Sequence, residues 1–259
     1  MSEIKKIAFI GSGNVASHMA KSFTDKGFTI TGIYGRNLIT AQALAAFTNS
    51  KWGAISDINF EEHDLVIISV PDNAIAEIIN ILPHSNTLIA HTSGSMEMEV
   101  LNKFGKRIGV FYPLQTFSKE KEVDFSKIPM MVEAKTDEDL VILEKLAQNL
   151  SLKVFRITSA QRKKIHIAAV FSSNFTNYLY HIAEDLLTQD NIPFEVIQPL
   201  IEETTDKIQH LKPYHAQTGP AVRNDLETIS SHLQDLESIP EYHEIYKLLS
   251  HHIIKSRKQ

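Results

Sequence analysis

The hexapeptide Gly11-Ser12-Gly13-Asn14-Val15-Ala16 constrains the fold more than any other stretch of this sequence. It follows the short apolar run Ile4–Ile10 and opens a helix predicted from about Asn14 to Lys26. In a G-x-G-x-x-A pattern the first small residue permits a tight turn and the second lets a pyrophosphate approach bare backbone. The third, here alanine, lets the helix pack closely on the strand. The free N–H groups of the helix start then face the anion. A tight turn without a ligand would need the same glycines, so the context matters: a buried strand before, a helix after. That context predicts a dinucleotide-binding βαβ unit.

The remaining glycines extend the inference. All but Gly219 lie before Val110, and glycine serves strand-to-helix turns while long packed helices avoid it. The first part reads as alternating elements: strands at Phe28–Tyr34, Leu65–Val70, Thr87–His91 and Arg107–Tyr112, with helices at Leu38–Thr48, Ala74–Leu82 and Glu97–Phe104. Met130–Glu133, a helix Asp137–Leu150 and Leu152–Ile157 extend the sheet. This alternation predicts an α/β fold with a doubly wound sheet over residues 1–156 and an all-helical domain over residues 157–259. In the second part Ala168, Phe171, Phe175, Tyr178, Ile182 and Leu186 fall on one face of a helix predicted over Ser159–Leu187, roughly 45 Å long. Pro193, Pro220 and Pro240 mark helix starts, and the basic tail Lys255–Lys258 is expected to fray.

Composition removes whole classes of function. With no cysteine in 259 residues, disulfides, thiolate metal sites and a cysteine nucleophile are excluded. The net charge of −5 is evenly spread and gives no basic surface for nucleic acid. The longest strongly apolar runs, such as Leu65–Val70, fall far short of the roughly 18 residues of a membrane span. The start Met1-Ser2-Glu3-Ile4 carries no signal-peptide pattern. A soluble, cytoplasmic protein with a small-molecule partner is the expectation.

The second strand suggests which dinucleotide. NAD sites place an Asp or Glu about 20 residues past the glycines to bind the ribose hydroxyls. From Lys26 through Ser56 the chain has no carboxylate, and the expected position holds Gly35-Arg36-Asn37. A guanidinium there pairs with a 2′-phosphate, which predicts NADP. Ligands in such sheets sit beyond the carboxyl ends of the strands. Three strands end there in Val70-Pro71-Asp72, His91-Thr92-Ser93-Gly94 and Tyr112-Pro113-Leu114-Gln115. Each suits an ordinary turn; their convergence on one edge favours a site.

Along the predicted long helix, His166, Ser173, Asn174, Asn177 and His181 fall within about 100° of one another. This uncharged polar stripe lines either a substrate cleft or a subunit contact. Gly219-Pro220 is expected to open a helix whose first turn carries Arg223, either an anion anchor or a partner of Asp225. Thr228 and His232 share a face with Asp225, but no metal-binding spacing such as H-E-x-x-H occurs, so no metal is expected.

Taken together these motifs, with Tyr112-Pro113-Leu114-Gln115-Thr116-Phe117 and the helix around His166 and Asn174, resemble a family of Rossmann-like NADP oxidoreductases with a C-terminal helical domain of unknown function. More distantly the chain is similar to pyrroline-5-carboxylate reductases, deazaflavin-dependent NADP reductases and β-hydroxyacid dehydrogenases. The resemblance implies a dimer built through the helical domain and an active site between domains. It departs from the last group at Val170, where those enzymes carry a catalytic lysine four residues before the asparagine matched by Asn174. Tyr112 stands where relatives often have histidine and is not assigned as an acid.

The expected activity is hydride transfer between NADP and a small, anionic substrate with a C=O or C=N carbon. His166, His91 and Asn174 are the expected catalytic residues. Gly11, Ser12, Gly13, Asn14, Val15, Ala16, Arg36, Asn37, Val70, Pro71 and Ser93 are the expected cofactor contacts, and Asn177, Arg223 and Gln115 the substrate contacts. A non-catalytic NADP-binding or sensing protein is the alternative, and a dimerisation module on a degenerate nucleotide fold a third.

Overall fold

The computed structural model of the chain describes residues 3–257. Met1, Ser2 and the end of the basic tail at Lys258 lie outside the described residues. The chain divides into two compact units, Met1–Asn174 and Phe175–Gln259.

The first unit is built on an eight-stranded sheet. Its strands are β1 (Lys6–Ile10), β2 (Thr29–Tyr34), β3 (Lys51–Gly53), β4 (Leu65–Ile68), β5 (Leu88–His91), β6 (Ile108–Pro113), β7 (Met130–Ala134) and β8 (Val154–Arg156). The spatial order is β3-β2-β1-β4-β5-β6-β7-β8. All neighbours pair in parallel except β6 and β7. Helices α1 (Asn14–Asp25), α2 (Leu38–Thr48), α3 (Asp72–Ile81) and α4 (Asp137–Leu150) connect them, with a 3₁₀ turn at Met98–Lys103 where a helix was expected. The chain leaves β1 toward β2 on one side, and β4 begins on the other, so the strand order reverses between β1 and β4. Such a reversal opens the crevice in which doubly wound sheets bind ligands.

Alternation along the strands sorts the core into two layers. Ile7 and Phe9 of β1 with Leu65 and Ile67 of β4 join α1, α2 and α4 in one cluster. Ala8 and Ile10 with Val66 and Ile68 join α3 and the 3₁₀ turn in the other. Strands buried on both faces read as unbroken apolar runs, the signature of a covered parallel sheet. In the first layer the Phe23 ring lies 6.4 Å from Phe9 and 6.0 Å from Phe111, which pins α1 across β1 and β6. The edge strand β3 was not anticipated, because three residues containing one glycine carry no alternation.

The helix predicted over Ser159–Leu187 is not a single α-helix. It comprises α5 (Ser159–Ala169), a π-turn at Val170–Phe175 and α6 (Thr176–Gln189). The i→i+5 bonding of a π-turn resets the facing of residues beyond it, so the polar stripe counted at 3.6 residues per turn does not hold past Ala169. The second unit continues with α7 (Gln198–His210), α8 (Pro213–Ala216), α9 (Pro220–Arg223), α10 (Leu226–Asp235) and α11 (Pro240–Arg257). Pro213, Pro220 and Pro240 each stand in the first turn of a helix, where a missing N–H costs nothing. The basic tail stays helical through Arg257 rather than fraying from Lys255.

Candidate active site

The turn after β1 is forced by its neighbour across the sheet. Gly11 has φ +112°, and a Cβ there would stand 2.1 Å from the carbonyl oxygen of Ser69. Only glycine fits. The Gly11 N–H donates to Tyr34 O at 2.7 Å, and the Ser69 N–H to Ile10 O at 2.7 Å, so the ends of β1, β2 and β4 meet at the strand-order reversal. Gly13 is the extended N-cap of α1 and offers no side-chain cap. A Cβ at Gly13 would meet nothing within 4 Å. The first N–H groups of α1 are thus uncapped by any side chain and have open space before them, which suits an anion. Ala16 is fully buried and Val15 packs against the core, so α1 sits tightly on the sheet.

The side chains of this turn are engaged elsewhere. Ser12 Oγ lies 2.6 Å from Thr40 Oγ1 of α2. Asn14 Nδ2 donates to Phe117 O at 2.9 Å. A depression of about 570 Å³ beside them is lined by Ser12, Asn14, Lys21, Thr40, Phe47 and Lys119 among others. Beyond β2, Arg36 is exposed and makes no ion pair among the described residues. Asn37 has a structural duty: its Oδ1 accepts from the N–H groups of Ile39 and Thr40, capping α2 at 3.1 and 3.2 Å. After β4, Val70 packs within 3.0 Å of the position a Gly11 Cβ would take, and exposed Pro71 is the N-cap of α3.

A second cluster forms where β5 and β6 end. The Tyr112 hydroxyl and His166 Nδ1 are 3.2 Å apart, with the rings edge to face at 6.2 Å and 73°. Gly94 lies beneath both: a Cβ there would stand 2.5 Å from His166 Nδ1 and 2.9 Å from the Tyr112 hydroxyl. Burial pushes the Tyr112 phenol up from its ordinary value, so at neutral pH it keeps its proton and remains a donor.

His91 is placed differently from the expectation. It is fully buried, and its Nδ1 accepts from the Ser93 N–H at 3.1 Å. Burial first, and the Arg162 guanidinium second, push its imidazole down to about 4. A neutral, enclosed imidazole with its basic nitrogen already occupied cannot reach a substrate, so the geometry points away from His91 as an acid. Ser93 is likewise buried, its Oγ accepting from the N–H groups of Ser95 and Met96 at 3.1 and 3.0 Å. It shapes the loop rather than presenting a hydroxyl.

Arg162, unremarked in the sequence, holds α5 against this loop. It is fully buried and donates to Glu133 of β7, to Met96 O and, at 3.0 Å, to Ser159 Oγ. Glu133 also accepts from the Ser159 N–H and hydroxyl at 2.9 and 2.8 Å. His166 follows Arg162 by one helical turn, so the clamp sets its position. The helical spacing of Arg162 and His166 was the signal available; nothing in the sequence marked which arginine would be buried.

The other expected residues sit in different local settings. Gln115 is exposed and accepts from the Thr116 N–H at 2.8 Å, a local turn bond. Asn174 is exposed within the π-turn. Asn177 and Arg223 belong to the second unit, and both are exposed. As expected, Gly219 and Pro220 open a helix whose first turn carries Arg223. Arg223 ends this single turn, α9, where a cation suits the macrodipole, while Asp225 caps α10 through the Thr228 N–H at 3.1 Å.

The strand order β3-β2-β1-β4-β5-β6 and the glycine turn at its reversal define a Rossmann-type fold. The family described as NADP oxidoreductase, coenzyme F420-dependent, matches residues 6–92, and a domain of unknown function, DUF2520, matches residues 128–253. A candidate NADP oxidoreductase from Bacteroides fragilis is 40% identical, with 98% of each chain covered and a TM-score of 0.90. The protein TM1727 from Thermotoga maritima is 25% identical, with 98% of this chain and 100% of that chain covered and a TM-score of 0.71. A reductive aminase from Aspergillus terreus in complex with NADPH and ethyl-5-oxohexanoate shares the fold at 14% identity, covering 99% and 94% of the two chains with a TM-score of 0.71. Among curated proteins there is no match. The chain belongs to the family of Rossmann-like NADP oxidoreductases with the C-terminal DUF2520 domain.

Proposed function

We propose that this protein is an NADP-dependent oxidoreductase that reduces a C=O or C=N carbon of a small, anionic substrate, or runs that reaction in reverse. The observation that carries the reading is the Tyr112–His166 pair, 3.2 Å apart, at the carboxyl edge of the sheet whose first turn is the uncapped glycine loop. The residues present fit a dinucleotide. Backbone N–H groups from Gly13 to Ala16 would take the pyrophosphate, and Arg36 the 2′-phosphate. Val70 and Pro71 would border the nicotinamide half. NADPH, when bound there, supplies the hydride.

His166 is the proton donor in this reading, with Tyr112 holding its Nδ1 and Gly94 admitting the pair to the loop. His91 serves as a buried support. Asn174, Asn177 and Arg223 remain proposed contacts to the substrate, from the same chain or a partner. The protein is proposed to be cytoplasmic and homodimeric through its helical part; no described helix is long and apolar enough to cross a membrane. Tyr178, Leu179, Leu200, Ile208, Leu248 and Leu249 of the second unit are each at least 40% exposed, more apolar surface than scattered side chains account for. Light scattering giving a monomer at micromolar concentration would defeat the dimer.

Val170 at the position of a catalytic lysine favours the second reading, a protein that binds or senses NADP without turnover. The deciding experiment is NADPH consumption, followed by absorbance, against a panel of small 2-oxo acids and ketones with and without ammonium. Turnover that His166→Ala abolishes while NADPH still binds supports the enzyme. Saturable NADPH binding with no turnover across the panel supports the sensor.

A further inference from the structure

Among the described residues, the hydrogen bonds that tie the segment between β6 and β7 to the glycine-turn end of the sheet fall on α1. Asn14 Nδ2 donates to Phe117 O at 2.9 Å. One turn along the same helix, His18 Nε2 meets Ser118 O at 2.8 Å, and its ring lies 5.3 Å from that of Phe117. Phe117 in turn stacks on Phe125 at 5.9 Å. Among the described residues, no amide N–H of residues 117–123 finds a hydrogen-bond partner. Lys119 of this strap lines the depression that also contains Ser12 and Asn14. Phe117 is only four residues beyond Pro113, where β6 ends, and Tyr112 immediately precedes that proline.

We propose that Asn14 is a positioning residue that couples the two ends of the site: a dinucleotide phosphate on the α1 turn holds the strap, residues 114–124, on α1 and thereby keeps Tyr112 against His166. The inference rests on the dinucleotide reading above. An anion at the uncapped end of α1 orders its first turn, and Asn14 is the first residue of that turn. Its bond to Phe117 O then persists rather than fluctuating. The same anion attracts Lys119 across the depression, which pulls the strap in the same direction. With so short a connection, residues 114–116 pass that restraint to the end of β6. Cofactor binding thus steadies the donor pair before a substrate arrives. Asn14 takes no part in proton or hydride transfer.

The test is hydrogen exchange read by mass spectrometry on the full chain, with and without saturating NADPH, for wild type, Asn14→Ala and His18→Gln. Saturation itself is established by nucleotide fluorescence for each protein. In wild type, exchange at residues 117–123 is expected to slow by about tenfold or more on binding, since unbonded amides have low protection to begin with. Asn14→Ala with NADPH bound is expected to keep the slowing at residues 11–16 and lose most of it at 117–123. His18→Gln, which removes the second tether, is expected to lose part of it. If NADPH binds and the strap is not slowed in wild type, or is slowed equally in Asn14→Ala, the coupling is wrong and the functional reading stands. If NADPH does not bind wild type, both are wrong.

Discussion

The Tyr112 hydroxyl and His166 Nδ1 stand 3.2 Å apart, and the absent side chain of Gly94 is what makes room for them. β6 supplies one partner and α5 the other, so the pair depends on how α5 is seated on the sheet.

Adding one carbon should separate them. In Gly94→Ala the new Cβ would stand 2.5 Å from His166 Nδ1 and 2.9 Å from the phenol oxygen, so the imidazole must swing away. A shift of about 1 Å in a catalytic group can cost about 100-fold in rate. The expected outcome is NADPH binding close to wild type with turnover reduced by about that factor, measured by fluorescence titration and steady-state kinetics. Unchanged turnover would remove the pair from the mechanism.

The clamp beneath it should be costly to break from one side. Arg162 is fully buried and Glu133 only 15% exposed at the side chain. Removing the carboxylate in Glu133→Ala leaves an uncompensated buried charge, a loss of about 3–5 kcal/mol. Urea denaturation should report it. A loss below about 1 kcal/mol, the range of exposed ion pairs, would show that Arg162 finds another partner.

Acid should destabilise the first unit through its buried histidines. The His91 imidazole, held down to about 4 chiefly by burial, has an ordinary value of 6.5, and burial also pushes His63 down. The unfolded chain therefore binds more protons than the native one between pH 6.5 and about 4. Stability is fully present above pH 6.5 and is lost as pH falls toward 4, with His91 alone contributing on the order of 3 kcal/mol. Denaturation midpoints at several pH values should fall across this window in wild type and less steeply in His91→Asn. An identical slope in the variant would assign the effect elsewhere.

Much of this was legible in the sequence, and the limits are physical. Gly11 and Ala16 could be read because close backbone packing admits few alternatives, and β1 and β4 because strands covered on both faces must be continuously apolar. The site resisted where one residue type serves several duties. Ser93 and Asn37 looked like ligand contacts and are a turn and a cap. His91 looked like an acid, but whether a histidine at a strand end points into the core or the cleft depends on packing. Arg162 went unnoticed because burial of an arginine depends on Glu133, which lies on a different element. The π-turn at Val170–Phe175 displaced the expected polar stripe, and no periodicity announces such a turn.

NADP at the glycine loop is put to the test by titrating the purified protein with NADPH and NADH, read by nucleotide fluorescence. The stretch from Lys26 to Ser56 lacks any carboxylate for a ribose hydroxyl, and Arg36 stands exposed beside the turn. NADPH should bind tighter than NADH, and Arg36→Ala should weaken NADPH by about 1.5–3 kcal/mol, roughly 10- to 150-fold, while leaving NADH nearly unchanged. Equal or tighter binding of NADH by the wild-type protein would show that the loop has no preference for NADP.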